Sequence, residues 1–458
     1  MTNFSSTFLA KSTVKAPDKE HRRKINFNIG KYNDAVPFGK SQFADLTKVR
    51  ELAKNVKWRA IEHLDQHLES FEKKITTRGA KVLWAKDAAE ALLYIGNICK
   101  EKNCKQVVKS KSMVTEEIHL NHYLEGMGIE SVETDLGEYI QQLDGETPYH
   151  IVTPAMHKNK EDVAKLFAEK LGTLRDLTPQ ELTLVARRTL REKYTEAEIG
   201  ITGANFIIAD IGGVAITENE GNARLSSAFP NTHIVVVGIE KMIPTLADLA
   251  LFWPLLSAHG TGQKVTVYNS IITGPKQAGE SDGPEEMFVI LLDNGRTNLL
   301  KNPKTRESLY CIRCGACLNA CPVYKNIGGH SYDTTYSGPI GSVITPHLKG
   351  MKEYKHLSIA SSLCGNCTEV CPMKINIHEI LLENRRVAVD EGFGTITERL
   401  AWKVWKLASM NRFMMNAGNG HLKNWVVNRT FKGWTAQRSN LDFSQKTFNE
   451  LWKEGKRG

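Results

Sequence analysis

The chain has 458 residues, 41% hydrophobic and 24% charged, a composition that predicts two or three globular domains and excludes a wholly disordered chain. Its net charge of +9 lies in one place: from Arg399 onward 12 Lys and Arg face 3 Asp and Glu, while the remainder balances 48 against 48. A generally basic nucleic-acid binder is therefore not expected, and the tail instead suits an acidic partner surface.

No apolar stretch approaches the roughly 20 residues of a membrane-spanning helix. Neither the N-terminus nor the Arg22–Arg23 pair is followed by the apolar core of an export signal, so a cytoplasmic protein is expected. Residues 1–40 lack sustained periodicity and read as an extended arm. From Asp45 to about Thr77 the pattern turns helical, with Leu46, Val49, Leu52, Ala53, Val56 and Ala60 on one side. Strands are expected at Lys81–Trp84, Gln106–Val108, Ser131–Glu133 and His150–Val152, each followed by a polar or helical stretch. That alternation predicts parallel strands with helical crossovers.

Between the first two strands, Cys99 and Cys104 lie in a periodic apolar segment and read as one buried and one surface thiol. Val163, Leu166, Phe167 and Leu171 share a helix face that Gly172 closes, and Thr178-Pro179-Gln180-Glu181 is a capping box opening the next helix. Strands are again expected at Phe206–Ile208, Val214–Thr217, His233–Val237, Val265–Tyr268 and Met287–Leu292. The loops 218–222 and 293–296 between them suit binding groups or plain turns.

Seven of the nine cysteines fall between Cys311 and Cys371. The first run, Cys311-x2-Cys314-x2-Cys317-x3-Cys321-Pro322, is the bacterial ferredoxin signature. Its first three thiolates hold one [4Fe–4S] cube and its fourth reaches to another. The second run, Cys364-x2-Cys367-x3-Cys371-Pro372, aligns from its Cys-Pro end with Ser361 at the empty first place. Crossing over the fourth ligands assigns Cys311, Cys314, Cys317 and Cys371 to one cluster, and Cys321, Cys364 and Cys367 to a second that lacks one thiolate. The second is then a [3Fe–4S] centre, a cube with an oxygen ligand such as Ser361 or water, or a cube completed by a residue outside the motif. A cube with one non-cysteine position is favoured. Two four-thiolate zinc sites would need more cysteines than this region holds.

His330, between the runs, is either a contact of the second cluster or a structural histidine. A helix is expected to follow Lys374–His378 as far as Arg386. The tail carries Trp402, Trp405, Trp425, Trp434 and Trp452 among its basic residues, the pattern of amphipathic helices that dock on the body or on a partner subunit.

Over nearly its whole length from about residue 40, the chain resembles the lactate utilisation protein B family. The segments that carry the likeness include VKSKSMVTEEIHLN (108–121), ETDLGEYI (133–140), TGANF (202–206), NEGNARL (219–225), GIEKMIPTLADL (238–249), TGPK (273–276) and LDNGRT (292–297), with both cysteine runs. The resemblance implies an N-terminal arm and helix (1–59), an α/β lactate-utilisation domain of the NagB/RpiA/CoA-transferase-like fold (60–300), an α-helical ferredoxin with two iron–sulfur clusters (301–385) and a basic Trp-rich tail (386–458). It also implies the electron-transfer subunit of a multi-subunit complex that oxidises L-lactate to pyruvate. The other subunits would be its partners, and any membrane association would come through them. Its catalytic residues are unknown: Glu218 and Glu220 lie in a loop comparable to the one where CoA-transferase-like relatives use a glutamate, with Lys241 and Gln263 as polar contacts, and no catalytic role is assigned to them. No nicotinamide or flavin motif is present. The alternative is a small-molecule-binding regulator with a cluster as redox sensor.

Overall fold

The computed structural model describes residues 4–430, 432 and 439–455. The chain divides into a unit of residues 1–388 and a second of residues 389–458.

The first unit is built on a six-stranded parallel sheet. Its strands are β1 (Lys81–Ala85), β2 (Gln106–Lys109), β3 (Glu130–Glu133), β4 (Ile199–Thr202), β7 (Thr232–Gly238) and β10 (Glu286–Leu292), in the order β1-β10-β7-β4-β2-β3. The central strands THIVVVG and EMFVILL are near-continuous apolar runs, as a parallel sheet covered on both faces requires. Alternate residues separate the faces. Ile234 and Val236 pack with Ala91, Ile95 and Leu120, whereas Val235 and Val237 pack with Leu64, Leu68 and Phe71. A four-stranded sheet, β8 (Met242–Ile243), β5 (Phe206–Ile208), β6 (Gly213–Glu218) and β9 (Tyr268–Ile272), in that order, stands beside it. The cysteine-rich region is helical, with segments Ala316–Ala320, Pro322–Ile327, Gly338–Lys349, Met351–Ile359, Asn366–Glu369 and Ile377–Asp390.

Several expectations need correction. Residues 1–40 are not an extended arm but the helices Phe4–Lys15 and Lys19–Lys40. Asp18 caps the second by accepting from the His21 N–H, and Ile25 and Ile29, one turn apart, sink into the core beneath the cysteine module. Two apolar anchors among polar neighbours leave little periodic signal. His150–Val152 is not a strand, because the imidazole Nδ1 of His150 accepts the N–H groups of Val152 (3.1 Å) and Thr153 (3.2 Å) and curls the chain into a bend. The strand expected at Val265 begins instead at Tyr268, since the Val267 N–H is taken by the Asn219 side chain. Unexpected β4 contains Gly200, where a Cβ would meet the Ser226 carbonyl at 1.7 Å, so the strand depends on a residue that reads as a strand breaker. Cys104 is buried rather than surface, its thiol donating to the Gln106 carbonyl at 3.3 Å.

The helix expected over Asp45–Thr77 is two, Leu46–Glu62 and Leu64–Thr76, and the Gly172 closure and the Thr178 capping box are both present. The second unit carries the helices Ile396–Met410, Arg412–Asn416, Gly420–Thr430 and Phe448–Lys453, with Trp402 and Trp405 exposed; Trp434 lies outside the described residues. Among the described residues, no helix is long and apolar enough to cross a membrane.

Candidate metal centre and adjoining cavity

The two cysteine runs fold into the same local shape. In the first, Arg313 and Gly315 have left-handed backbone (φ 61° and 81°) on either side of Cys314, and a short helix carries Cys317. In the second, Leu363 and Gly365 (φ 54° and 81°) flank Cys364 the same way, and a short helix carries Cys367. The left-handed residues turn successive side chains to one side of the loop. The match extends to the first position. The Arg313 N–H donates to Cys311 Sγ at 3.4 Å, and the Leu363 N–H donates to Ser361 Oγ at 3.1 Å. Ser361 therefore stands in the second loop where Cys311 stands in the first.

The seven thiols fall into two electrostatic groups. Burial raises the pKa of Cys317 far above its ordinary value, and Cys311, Cys314 and Cys371 beside it raise it further. Cys314 is likewise raised by burial, then by Cys371 and Cys311, and burial takes Cys371 to about 12 with Cys311 adding to it. In the other group, burial lifts Cys367 to about 11, followed by Cys321 and Cys364. The chain thus packs Cys311, Cys314, Cys317 and Cys371 together, and Cys321, Cys364 and Cys367 together. Buried Tyr332 has sulfur neighbours in both groups, Cys321 and Cys317. Crowded thiols whose anions repel one another are a donor set that a cationic iron centre neutralises, so the residues present fit iron–sulfur clusters.

A buried ion network joins this module to the sheet. Arg296, 2% exposed, grips Glu117 with two N–H groups at 2.9 Å each and Glu240 with its Nε. The Tyr336 hydroxyl donates to Glu117 at 2.6 Å, and Arg313 reaches Glu240 at 3.5 Å while its guanidinium lies 4.7 Å from the centre of the Tyr336 ring. Burial alone would raise Glu240, but Arg296, Arg313 and Lys241 overturn that and hold it at about 2. Lys57 donates to the carbonyls of Glu240 (2.5 Å) and Met242 (3.0 Å). Burial, then Lys241, brings Lys57 down to about 7; burial, then Arg313, brings Lys241 to about 8.

Against the same module lies a cavity of about 230 Å³ at the carboxyl ends of β2, β4 and β6. Lys241, Arg313 and Cys314 line it, as do Glu218 and Glu220, whereas Gln263 is outside the lining and is bonded to Asn219 and Thr261. Glu218 accepts the N–H groups of Ala223 and Arg224, and Glu220 that of Leu136. His330 bonds to the Thr147 carbonyl at 2.7 Å beside Glu146 and His157. This convergence of residues far apart in the chain has no local sequence signal.

The family described as LUD domain matches residues 68–292, and that described as 4Fe-4S dicluster domain matches residues 307–375. A "Lactate utilization protein B" from Geobacillus sp. (strain WCH70) is 41% identical over 470 positions, covering 100% of this chain and 96% of the relative. Another of that name, from Bacillus cytotoxicus, is 44% identical over 430 positions, 89% of each chain. A solved DUF162 family protein from Deinococcus radiodurans aligns with 50% of this chain and 98% of its own at 14% identity and a TM-score of 0.29.

Proposed function

The chain belongs to the lactate utilisation protein B family, and from that premise we propose that it is the iron–sulfur electron-transfer subunit of a complex that oxidises L-lactate to pyruvate. The observation that carries this is the sorting of seven thiols into a group of four and a group of three, side by side in a helical module. Cys311, Cys314, Cys317 and Cys371 would hold one cluster. Cys321, Cys364 and Cys367 would hold the second, with Ser361 at its fourth place. When bound, such clusters accept and release single electrons.

Turning lactate into pyruvate releases two electrons and two protons, so two adjacent one-electron positions match the stoichiometry. The protein's own part is to hold the sulfurs, to donate the N–H groups of Arg313 and Leu363 towards the two loops, and to set the charge around each. The remaining subunits and the electron acceptor would be partners in the cytoplasm. The test is growth on L-lactate as sole carbon source after deletion of the gene in the organism that encodes it. The intact gene should restore growth and a Cys314→Ala version should not. Undiminished growth of the deletion strain, or full rescue by the variant, would contradict the reading.

A further inference from the structure

Outside the thiol groups, Glu146, His157 and His330 bring a carboxylate and two imidazoles together, one ligand atom of each lying within 4.8 Å of the other two. They come from three stretches of chain. Glu146 follows the helix Leu136–Asp144, His157 precedes the helix Lys160–Leu171, and His330 opens the short helix His330–Tyr332 between the cysteine runs. Packing holds the rings in place. Tyr149, 2% exposed, stacks on the His157 ring at 4.5 Å between centroids and meets the His330 ring edge-on at 4.9 Å. The two imidazoles are themselves 4.9 Å apart, centre to centre. His157 bonds through Nε2 to Glu146 at 2.8 Å, and its Nδ1 is buried without a partner among the described residues. His330 bonds through Nε2 to the Thr147 carbonyl at 2.7 Å. A backbone carbonyl on one ring nitrogen fixes the tautomer and leaves the other nitrogen's electron pair for a metal. Charge favours a cation as well. Lys158 is shared between Glu146 and Asp144, and Lys11, the other ammonium beside His330, is paired with Asp333. With neutral imidazoles the cluster keeps a net negative charge.

We infer that Glu146, His157 and His330 bind a divalent ion of the zinc class and so pin the cysteine module to the α/β domain. Two imidazoles and one carboxylate suit Zn²⁺, whereas Ca²⁺ and Mg²⁺ take oxygen ligands. Ligand atoms on a tetrahedral zinc stand roughly 3.3 Å apart, given bonds of about 2.0–2.1 Å. Small side-chain rotations therefore close the cluster on the ion. Glu146 and His330 also line a surface cavity of about 860 Å³, which gives the ion a way in and leaves water the fourth position. The link crosses domains. Glu146 and His157 fall in the stretch matched by the LUD domain, and His330 in that matched by the 4Fe-4S dicluster domain. The site shares no residue with the seven thiols, and nothing in it depends on the lactate reading.

The test is anaerobic calorimetry with Zn²⁺, and with Mg²⁺ as control, on the full-length, cluster-loaded protein, followed by elemental analysis and zinc X-ray absorption on the same sample. One zinc per chain should bind, with iron and sulfide content unchanged, and Mg²⁺ should not. The zinc should have a first shell of nitrogen and oxygen at about 2.0–2.1 Å. His157→Gln and His330→Gln should each weaken zinc binding by roughly tenfold or more at unchanged iron content. Zinc should also raise the thermal midpoint of the wild-type protein and not that of the double variant. Should the variants fail to fold, the wild-type absorption spectrum decides alone. A shell containing sulfur at about 2.3 Å would place the zinc on cysteines and overturn the inference. So would zinc affinity unchanged in both variants. Absence of zinc binding would overturn it too and leave the three side chains as a hydrogen-bonded cluster only.

Discussion

The loops Cys311–Cys317 and Ser361–Cys367 share a backbone, down to the left-handed residues around the middle cysteine and the N–H bond to the first side chain, yet they stand in different surroundings. In the first group Cys314, Cys317 and Cys371 are 8%, 8% and 7% exposed, and Lys57, Lys241 and Arg313 have Cys311 as an electrostatic neighbour. In the second, Cys367 is as buried at 8% exposed, but Cys364 is exposed and a hydroxyl replaces one thiol. The loop therefore sets where ligands point, while packing sets solvent access and charge. The first site is the more enclosed and is tied to the cavity; the second opens to solvent at Cys364.

Cys314→Ala attacks the enclosed site and has the largest expected effect. The first cluster should be lost and iron content should fall by roughly half, with the second group's signal retained. Full iron content would contradict the assignment. Next in size, Arg296→Met leaves Glu117 and Glu240 buried without their main counter-charge. It should cost about 3–5 kcal/mol in denaturant unfolding, because the surviving carboxylates stay desolvated. A loss below about 1 kcal/mol would show that the network does not join the module to the sheet.

Acid tests the scaffold under both loops. Burial holds His233 near 4 and, in the same way, His21 near 4, His150 near 3 and His259 near 3, all below the ordinary 6.5. The unfolded chain takes up these protons first, so stability is full above pH 6.5 and declines as pH falls towards 3–4. His233, bonded to the Thr202 hydroxyl at 2.8 Å, is the cleanest probe. His233→Gln should flatten the decline by one proton, worth up to roughly 3 kcal/mol at pH 4. An unaltered slope would show that His233 is not held neutral.

The smallest effect concerns the open site. Ser361→Ala should shift the EPR spectrum or potential of the second cluster and leave the first unchanged, and a chelator should strip the second site first. An unaltered second signal would exclude Ser361 as a ligand.

Much of this was legible because its physics is local. Metal spacing depends on a few consecutive residues, so both cysteine runs and the empty place at Ser361 could be read directly. Strands such as Phe206–Ile208 and Met287–Leu292 declared themselves as apolar runs between turns. The helix Lys19–Lys40 was hidden because two isoleucines anchor it, and β4 because it depends on Gly200. The cavity was beyond reach for another reason: Lys241, Arg313 and Glu220 are far apart in the chain and meet only once the sheet and the module pack. Glu218, Glu220 and Lys241 stood out in the sequence, but only packing shows that all three line one cavity and that Gln263 lies outside the lining.

The most direct measurement is EPR on anaerobically purified protein before and after reduction, with iron and acid-labile sulfide counted on the same sample. Two cluster signals with about seven or eight iron atoms per chain are expected. A colourless, EPR-silent protein that holds zinc and no labile sulfide would contradict the account.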